Sequence, residues 1–168
     1  GSIKTEGNYA YGIFNDGNDN VTTVSGSIKT EGSSADGIYN RGSTNTTTVS
    51  GSIKTEGNNS HGIFNYGDTN TSSISGTVKA TGARSAALYN VKGDGNSFTL
   101  NEGATIIGDI LSDTDAVTTN SKLIFNLGAS ASYAYSVSGA GKGTGAGQWD
   151  FSDLDRSSQV VTTTGTGC

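Results

Sequence analysis

Few residues of this chain are equipped for chemistry, and their spacing limits what they can do. His61 is the only histidine and Cys168 the only cysteine. A nucleophilic or metal-ligating centre would need partners for such a residue, and no second histidine or cysteine exists to supply them. His61 stands in a series with Tyr11, Asp36 and Ala86, each 25 residues from the next, and is expected to lie on a surface turn. A Ser-His-Asp constellation is compatible with the composition, but nothing in the spacing locates one. Carboxylates are more plentiful. Clustered in a groove they would suit glycoside cleavage. Asp16, Asp19, Asp36, Asp68 and Asp94 are instead scattered over turns without a repeated column. No catalytic residue and no cofactor is expected.

Oxygen ligands do come close together in Asp16-Gly17-Asn18-Asp19-Asn20 and in Asp94-Gly95-Asn96, as a calcium loop requires. The place of Asp16 is taken by Arg41, Tyr66 and Val91 further along. A calcium ladder built from a repeat would keep its carboxylate, and Asx-Gly turns account for both stretches, so no metal is expected. Asn20-Val21-Thr22, Asn45-Thr46-Thr47 and Asn70-Thr71-Ser72 have the form of glycosylation sequons. An Asn turn before a Thr-rich strand explains them equally well. Thr22 with Thr47, and Thr23 with Thr48, are pairs of the kind that bind ice when they cover a whole flat face. Lys and Glu are expected to interrupt this one.

Variation between copies marks another kind of site. The stretch Ser-Ile-Lys-Thr-Glu barely changes. The turn after it reads Asn8-Tyr9-Ala10-Tyr11, then Ser33-Ser34-Ala35-Asp36, then Asn58-Asn59-Ser60-His61. A second loop varies too, with Asp16, Arg41 and Tyr66 at one position. In solenoids such variation gathers on one face, often the binding face. If this chain binds a ligand, Tyr9, Tyr11, Asp36, Arg41, His61 and Tyr66 are expected to line that edge. The plainer expectation is that these turns tolerate change and the chain is a spacer.

What must position all of these is a repeat. Gly-Ser-Ile-Lys-Thr-Glu-Gly begins at Gly1, Gly26 and Gly51, and a weaker copy runs from Gly76 to Gly82, a spacing of 25 residues each time. A fixed period of this size signals stacked coils. Val24, Ile28 and Thr30 alternate with Ser25, Lys29 and Glu31, the period of a strand with one set of side chains on each side. Val24 and Ile28 are expected inside. Gly37-Ile38-Tyr39-Asn40 reads as a second strand anchored by Ile38 or by Tyr39, and alternation does not choose between them. Thr46 to Val49 reads as a third β-rich run.

Equivalent positions then form columns: Ile3, Ile28, Ile53 and Val78; Ile13, Ile38, Ile63 and Leu88; Phe14, Tyr39, Phe64 and Tyr89; Asn15, Asn40, Asn65 and Asn90. Parallel pairing at about 4.8 Å stacks like on like, giving aromatic and amide ladders. Lys4, Lys29, Lys54 and Lys79 form an outer column, and Glu6, Glu31 and Glu56 the next. Diagonal pairing is expected to neutralise them, leaving a solvated face.

Composition agrees. Hydrophobic residues make up 32%, too few for one thick core but enough for a thin elongated one. Only 15% of residues are charged, which argues against disorder. Proline is absent, as a chain made of paired strands requires. The net charge of −5 argues against a nucleic-acid partner. No apolar run is long enough to span a membrane, and no signal peptide is visible. The chain opens in phase with its repeat, so it is expected to be part of something longer.

Beyond residue 100 the motif fades while the period persists: Ser97 to Ala104 aligns with Lys122 to Ala129, 25 residues on. Ala104 to Leu111 reads as strand throughout. Residues 1–135 are therefore expected to be coils. Residues 136–168 are expected to be a Gly/Ser-rich stretch with further coils, Val137 to Gly147 being a loop or linker. Trp149-Asp150-Phe151 and Val160-Val161-Thr162-Thr163 are candidate strands there.

Coils of the form Gly-Ser-Ile-x-Thr-x-Gly, a variable turn, then Gly-Ile-Phe/Tyr-Asn resemble the passenger domains of Gram-negative autotransporters. The run from Gly103 to Ile110 resembles their later coils. The resemblance covers residues 1 to about 135. It implies an all-β fold, a right-handed parallel β-helix (β-solenoid) with 25-residue coils. It also implies display at the bacterial cell surface by an outer-membrane β-barrel lying downstream. The function it implies is a non-catalytic stalk or adhesin, whose partners would be a host surface protein or glycan, or another copy of itself. The alternatives are a β-helical carbohydrate-active enzyme and a phage-type fibre.

Overall fold

The alternation of one residue in and one out turns into three short strands per coil. The computed structural model describes residues 1–127, 132–135, 137–138, 144–146, 148–153 and 160–163. Every element among them is a strand, and every pairing is parallel. The first sheet stacks Ser2–Thr5, Ser27–Thr30, Ser52–Thr55, Thr77–Ala80 and Thr105–Ile107. The second stacks Ile13–Asn15, Ile38–Asn40, Ile63–Tyr66, Ala86–Lys92, Asp109–Ser112 and Val137–Ser138. The third stacks Val21–Val24, Thr46–Val49, Thr71–Ile74, Ser97–Asn101, Lys122–Asn126 and Asp150–Asp153. The chain visits the three in turn, so the fold is a parallel β-solenoid of about five turns.

Register follows the repeat. Ile3 lies opposite Ile28, Ile28 opposite Ile53, and Ile53 opposite Val78. The core is a thin axial column that includes Val24, Ile28, Ile38, Val49, Ile53, Ile63, Val78 and Leu88. Each such side chain contributes roughly 1.5–3 kcal/mol by leaving water. At its far end Phe98 packs on Trp149, with ring centroids 6.1 Å apart. The choice between Ile38 and Tyr39 falls to Ile38, which is fully buried while Tyr39 faces outward. Val24 and Ile28 both point inward, but on different sheets. A corner at Ser25-Gly26 separates them, because the Val24 carbonyl accepts the N–H groups of both Ser50 and Gly51 (2.9 Å each). Only glycine fits this corner: a Cβ on Gly51 would lie 1.9 Å from the Gly26 carbonyl oxygen.

Two polar ladders line the inner side of the second sheet and its exit. Asn15 Nδ2 donates to Asn40 Oδ1 at 2.7 Å, Asn40 to Asn65 at 2.9 Å and Asn65 to Asn90 at 3.0 Å. The Oδ1 atoms of Asn45, Asn70 and Asn96 accept the backbone N–H groups of Asn20, Asn45 and Asn70. Asn45 and Asn70 are therefore buried, and those two sequons are not open to modification. The Asx-rich turns also bond coil to coil: Asn18 accepts the Ser43 N–H, and Asp94 accepts the Thr119 hydroxyl.

Three expectations change. Ala104 to Leu111 is not one strand: it breaks at Gly108, whose φ of 121° turns the chain directly from first sheet to second. The opposing residues are accordingly 28 apart in the first sheet (Thr77, Thr105), 22 in the second (Leu88, Ile110) and 25 again in the third (Ser97, Lys122). Val137–Ser138 belongs to the second sheet rather than to a linker, and Asp150–Asp153 to the third, so the sheets run past residue 135. Val160–Thr163 pairs with Ser132–Tyr135. The rest of the stretch from Val137 to Gly147 lies largely outside the described residues.

The third change concerns the threonines. The Lys and Glu columns sit on the first sheet and do not interrupt the third. Thr22 and Thr47 point inward instead, while Thr23 and Thr48 face outward opposite each other, as do Thr46 and Thr71, with Val21 and Ser73 interrupting the two columns.

Candidate binding face

The outer side of the second sheet is where the unusual side chains meet. Its strands put Ile13, Ile38, Ile63 and Leu88 inside, so period two forces Phe14, Tyr39, Phe64 and Tyr89 outside. Successive ring centroids are 5.1, 4.9 and 5.5 Å apart, with planes tilted by 43 to 53°. Tilted rings at this separation gain edge-to-face attraction. Phe14 is 44% exposed, and the other three are half-buried. The result is an aromatic strip four coils long with one side open.

A second column lies beside the strip. Tyr11 packs on Phe14 at 5.4 Å and on Tyr39 at 5.2 Å. His61 stacks on Phe64 at 5.1 Å and meets the edge of Tyr89 at 4.8 Å. His61 is not on a surface turn. It is 9% exposed, and Asp36 in the coil below is 4% exposed. Both are held by the ladder of backbone groups: Asp36 Oδ1 accepts the His61 N–H at 2.6 Å, and His61 Nδ1 accepts the Ala86 N–H at 3.0 Å. An accepting Nδ1 places the ring proton on Nε2. Burial pushes the Asp36 carboxyl up to about 7, against a smaller lowering by the His61 N–H. Burial pushes His61 down to about 4. Tyr11 and Tyr39 are raised, first by burial and then by neighbouring negative charge, from Asp36 on Tyr11 and from Tyr11 on Tyr39.

On the other side of the strip runs the column Asp16, Arg41, Tyr66, Lys92. Tyr66 ends its strand facing outward like Phe64. Arg41 Nη1 lies 3.8 Å from Asp16 Oδ2. Sequence spacing puts Val91 next in this column, but a bulge between Asn90 and Lys92 brings Lys92 opposite Tyr66. The Lys92 ammonium sits 5.4 Å from the Tyr66 ring centre, in cation–π range. Phe64 and Tyr66 lie two residues apart on the same side of one strand, so strip and column adjoin on one face.

The six residues expected along one edge therefore divide. Tyr11 joins the strip. Arg41 and Tyr66 flank it. Asp36 and His61 are buried beneath or within it and offer little to a ligand, because the chain turns them into the backbone ladder. Tyr9 stands apart, 71% exposed on a turn with φ of 56°. The aromatic column itself was expected, but not its face, and it was not counted among the site residues; Lys92 was missed. An outward aromatic column is signalled by its tyrosines, whose hydroxyls seek water. Lys92 is signalled by the asparagine series 20, 45, 70, 96, whose last step is one residue longer.

The first sheet's outer side is different. Lys4, Lys29 and Lys54 each pair with the Glu two residues on, and Lys4 and Lys29 also reach the next coil, at 3.6 Å to Glu31 and 3.0 Å to Glu56. Over these three coils the charges satisfy one another; Lys79 has Thr81 where the earlier coils have Glu.

Comparison with known protein families, with curated proteins and with solved structures gives no match to this chain.

Proposed function

We propose that this chain is a non-catalytic stalk and adhesive segment of a surface-displayed bacterial protein of the autotransporter passenger type. It holds a binding surface away from the outer membrane, and its own second-sheet face makes repeated contacts with a host surface protein or glycan, or with another cell. The observation that carries the reading is the open aromatic strip beside Arg41, Tyr66 and Lys92, on a rod whose first-sheet face forms its own ion pairs over three coils. A contiguous exposed apolar patch on a protein of few apolar residues marks a contact site.

The test replaces the strip. Wild-type protein and a variant with Phe14, Tyr39, Phe64 and Tyr89 changed to Ser are screened against immobilised matrix proteins and glycans. Binding by the wild type and its loss in the folded variant is the expected result. Equal binding by both, or none by either, removes the adhesive reading. Protease shaving and antibody labelling of intact cells tests the display: protection from both would remove it.

A further inference from the structure

Beside the aromatic strip, where the second sheet gives way to the third, lies a cleft of about 440 Å³. Its rim carries Arg41, Tyr66 and Lys92 from three successive coils. Tyr66 is therefore bracketed by a guanidinium one coil below and an ammonium one coil above. The floor is bare backbone. A Cβ on Gly67 would fall 2.3 Å from the Gly42 carbonyl oxygen, and one on Gly93 would fall 2.1 Å from that of Gly67. The far wall is Val117, in a loop pinned by the Thr118 hydroxyl, which donates to the Val91 carbonyl at 2.6 Å. Ser43 Oγ accepts the Asp68 N–H at 3.2 Å, which leaves its own proton to donate into the cleft.

We propose that this cleft binds the carboxylate-bearing sugar of an acidic oligosaccharide, with Arg41 and Lys92 taking the carboxylate and Tyr66 and Val117 the apolar edges of the ring. The inference rests on the adhesive reading of the same face and names its ligand class. Lining cations outnumber the lining carboxylate, Arg41 and Lys92 against Asp68, with Asp16 standing 3.8 Å from Arg41 Nη1 outside the lining. Asp68 is itself engaged, accepting the Asp94 N–H at 2.8 Å. A guanidinium meets a carboxylate through two parallel hydrogen bonds, and a lysine adds a mobile point charge. The neighbouring sugars have somewhere to go. An extended pyranose chain laid along the rod advances about one sugar per strand spacing of about 4.8 Å, so those neighbours run on along the flanking column beside the strip. A peptide fits less well, since its carboxylates and aromatic contacts would have to match both the coil spacing and a bare glycine floor. A neutral glycan leaves Lys92 with only the Tyr66 ring and Arg41 with only Asp16, 3.8 Å away.

The probe is a galacturonate oligosaccharide and its fully methyl-esterified counterpart, titrated calorimetrically into the folded protein. The acid form is expected to bind and the ester not. Arg41→Gln and Lys92→Gln are each expected to weaken binding by about tenfold, the loss of one charge-assisted hydrogen bond. Chemical-shift changes confined to the cleft in the wild type would agree. Equal binding of acid and ester overturns the proposal, as does binding that survives both substitutions. If the acid form fails to bind while a matrix protein is still captured through the strip, the ligand class is wrong and the adhesive reading stands. If neither binds, both fall.

Discussion

The first and second sheets are built from the same backbone, stacked in the same register, yet their outer faces are chemical opposites. On the first, Lys and Glu columns stand two residues apart, and Lys4, Lys29 and Lys54 each find a Glu two residues on, while Lys79, followed by Thr81, has none there. Such a face presents solvated, spent charges. On the second, the outward column is aromatic and cannot satisfy itself with ion pairs. Its flanking column changes from Asp16 to Arg41 to Tyr66 to Lys92, so Arg41 has a carboxylate in contact and Lys92 only a ring. A repeat that keeps a column constant closes a face, whereas one that varies it leaves valences open to a partner.

Proton binding should separate the two faces most strongly. Lys29 is raised by its hydrogen bond to Glu31, and Glu56 is lowered by Lys54, but all of these groups keep about a third or more of their side-chain surface in water. Asp36 and His61 are buried and shifted in opposite senses. The folded Asp36 carboxyl, near 7, holds a proton that the unfolded chain releases near 4, so its contribution falls as pH rises from about 4 to 7. The folded His61, near 4, refuses a proton that the unfolded chain takes up below 6.5, so its contribution grows from about 4 to 6.5. At about 1.4 kcal/mol per unit, these opposing slopes amount to about 4 and about 3 kcal/mol and nearly cancel in the wild type. In Asp36→Asn, urea midpoints should climb from pH 4 to 6.5; in His61→Gln they should decline from pH 4 to 7. A flat profile in both would show that neither group is desolvated.

Next in size is the amide ladder under the aromatic strip. Asn65→Ala leaves Asn40 Nδ2 with only Thr47 Oγ1 as acceptor and Asn90 Oδ1 without its donor, a loss of about 3 kcal/mol at 1–3 kcal/mol per unmade bond. Thermal melts should show it. An unchanged midpoint would mean that water has replaced the side chain. Phe64→Ala removes ring contacts to Tyr39, His61 and Tyr89. It should cost about 1–2 kcal/mol of stability, while adhesion drops far more. A stability loss without any change in adhesion would make the strip structural only. Smallest of all is Lys29→Gln on the first sheet, for which no resolvable shift in midpoint is expected. A clear shift would mean that the closed face also carries load, and the contrast between faces would weaken.

Much of this was legible in the residues themselves. The columns of Ile28, Asn40 and Lys29 follow from the period, and the pairing of Ser97 with Lys122 follows even where the motif has faded. The burial of His61 was not legible. A turn residue adjoining a glycine looks exposed, and only the inward packing of the turn against Phe64 and Tyr89 hides it. Lys92 was misplaced for a related reason: a single extra residue at the bulge slips the register at the surface while the inner Leu88 and Asn90 stay in step. Likewise Gly108 replaces a whole turn, which a run of β-formers from Ala104 to Leu111 conceals.

Up to Asn90 the sequence by itself determined which residue stacks on which. In-register parallel pairing with a two-residue alternation is fixed by local spacing repeated along the chain. Only the tertiary structure decided where each coil bends and which polar side chains the bends enclose. Those depend on how three sheets close around one column, and a corner displaced by one residue exchanges a buried group for an exposed one.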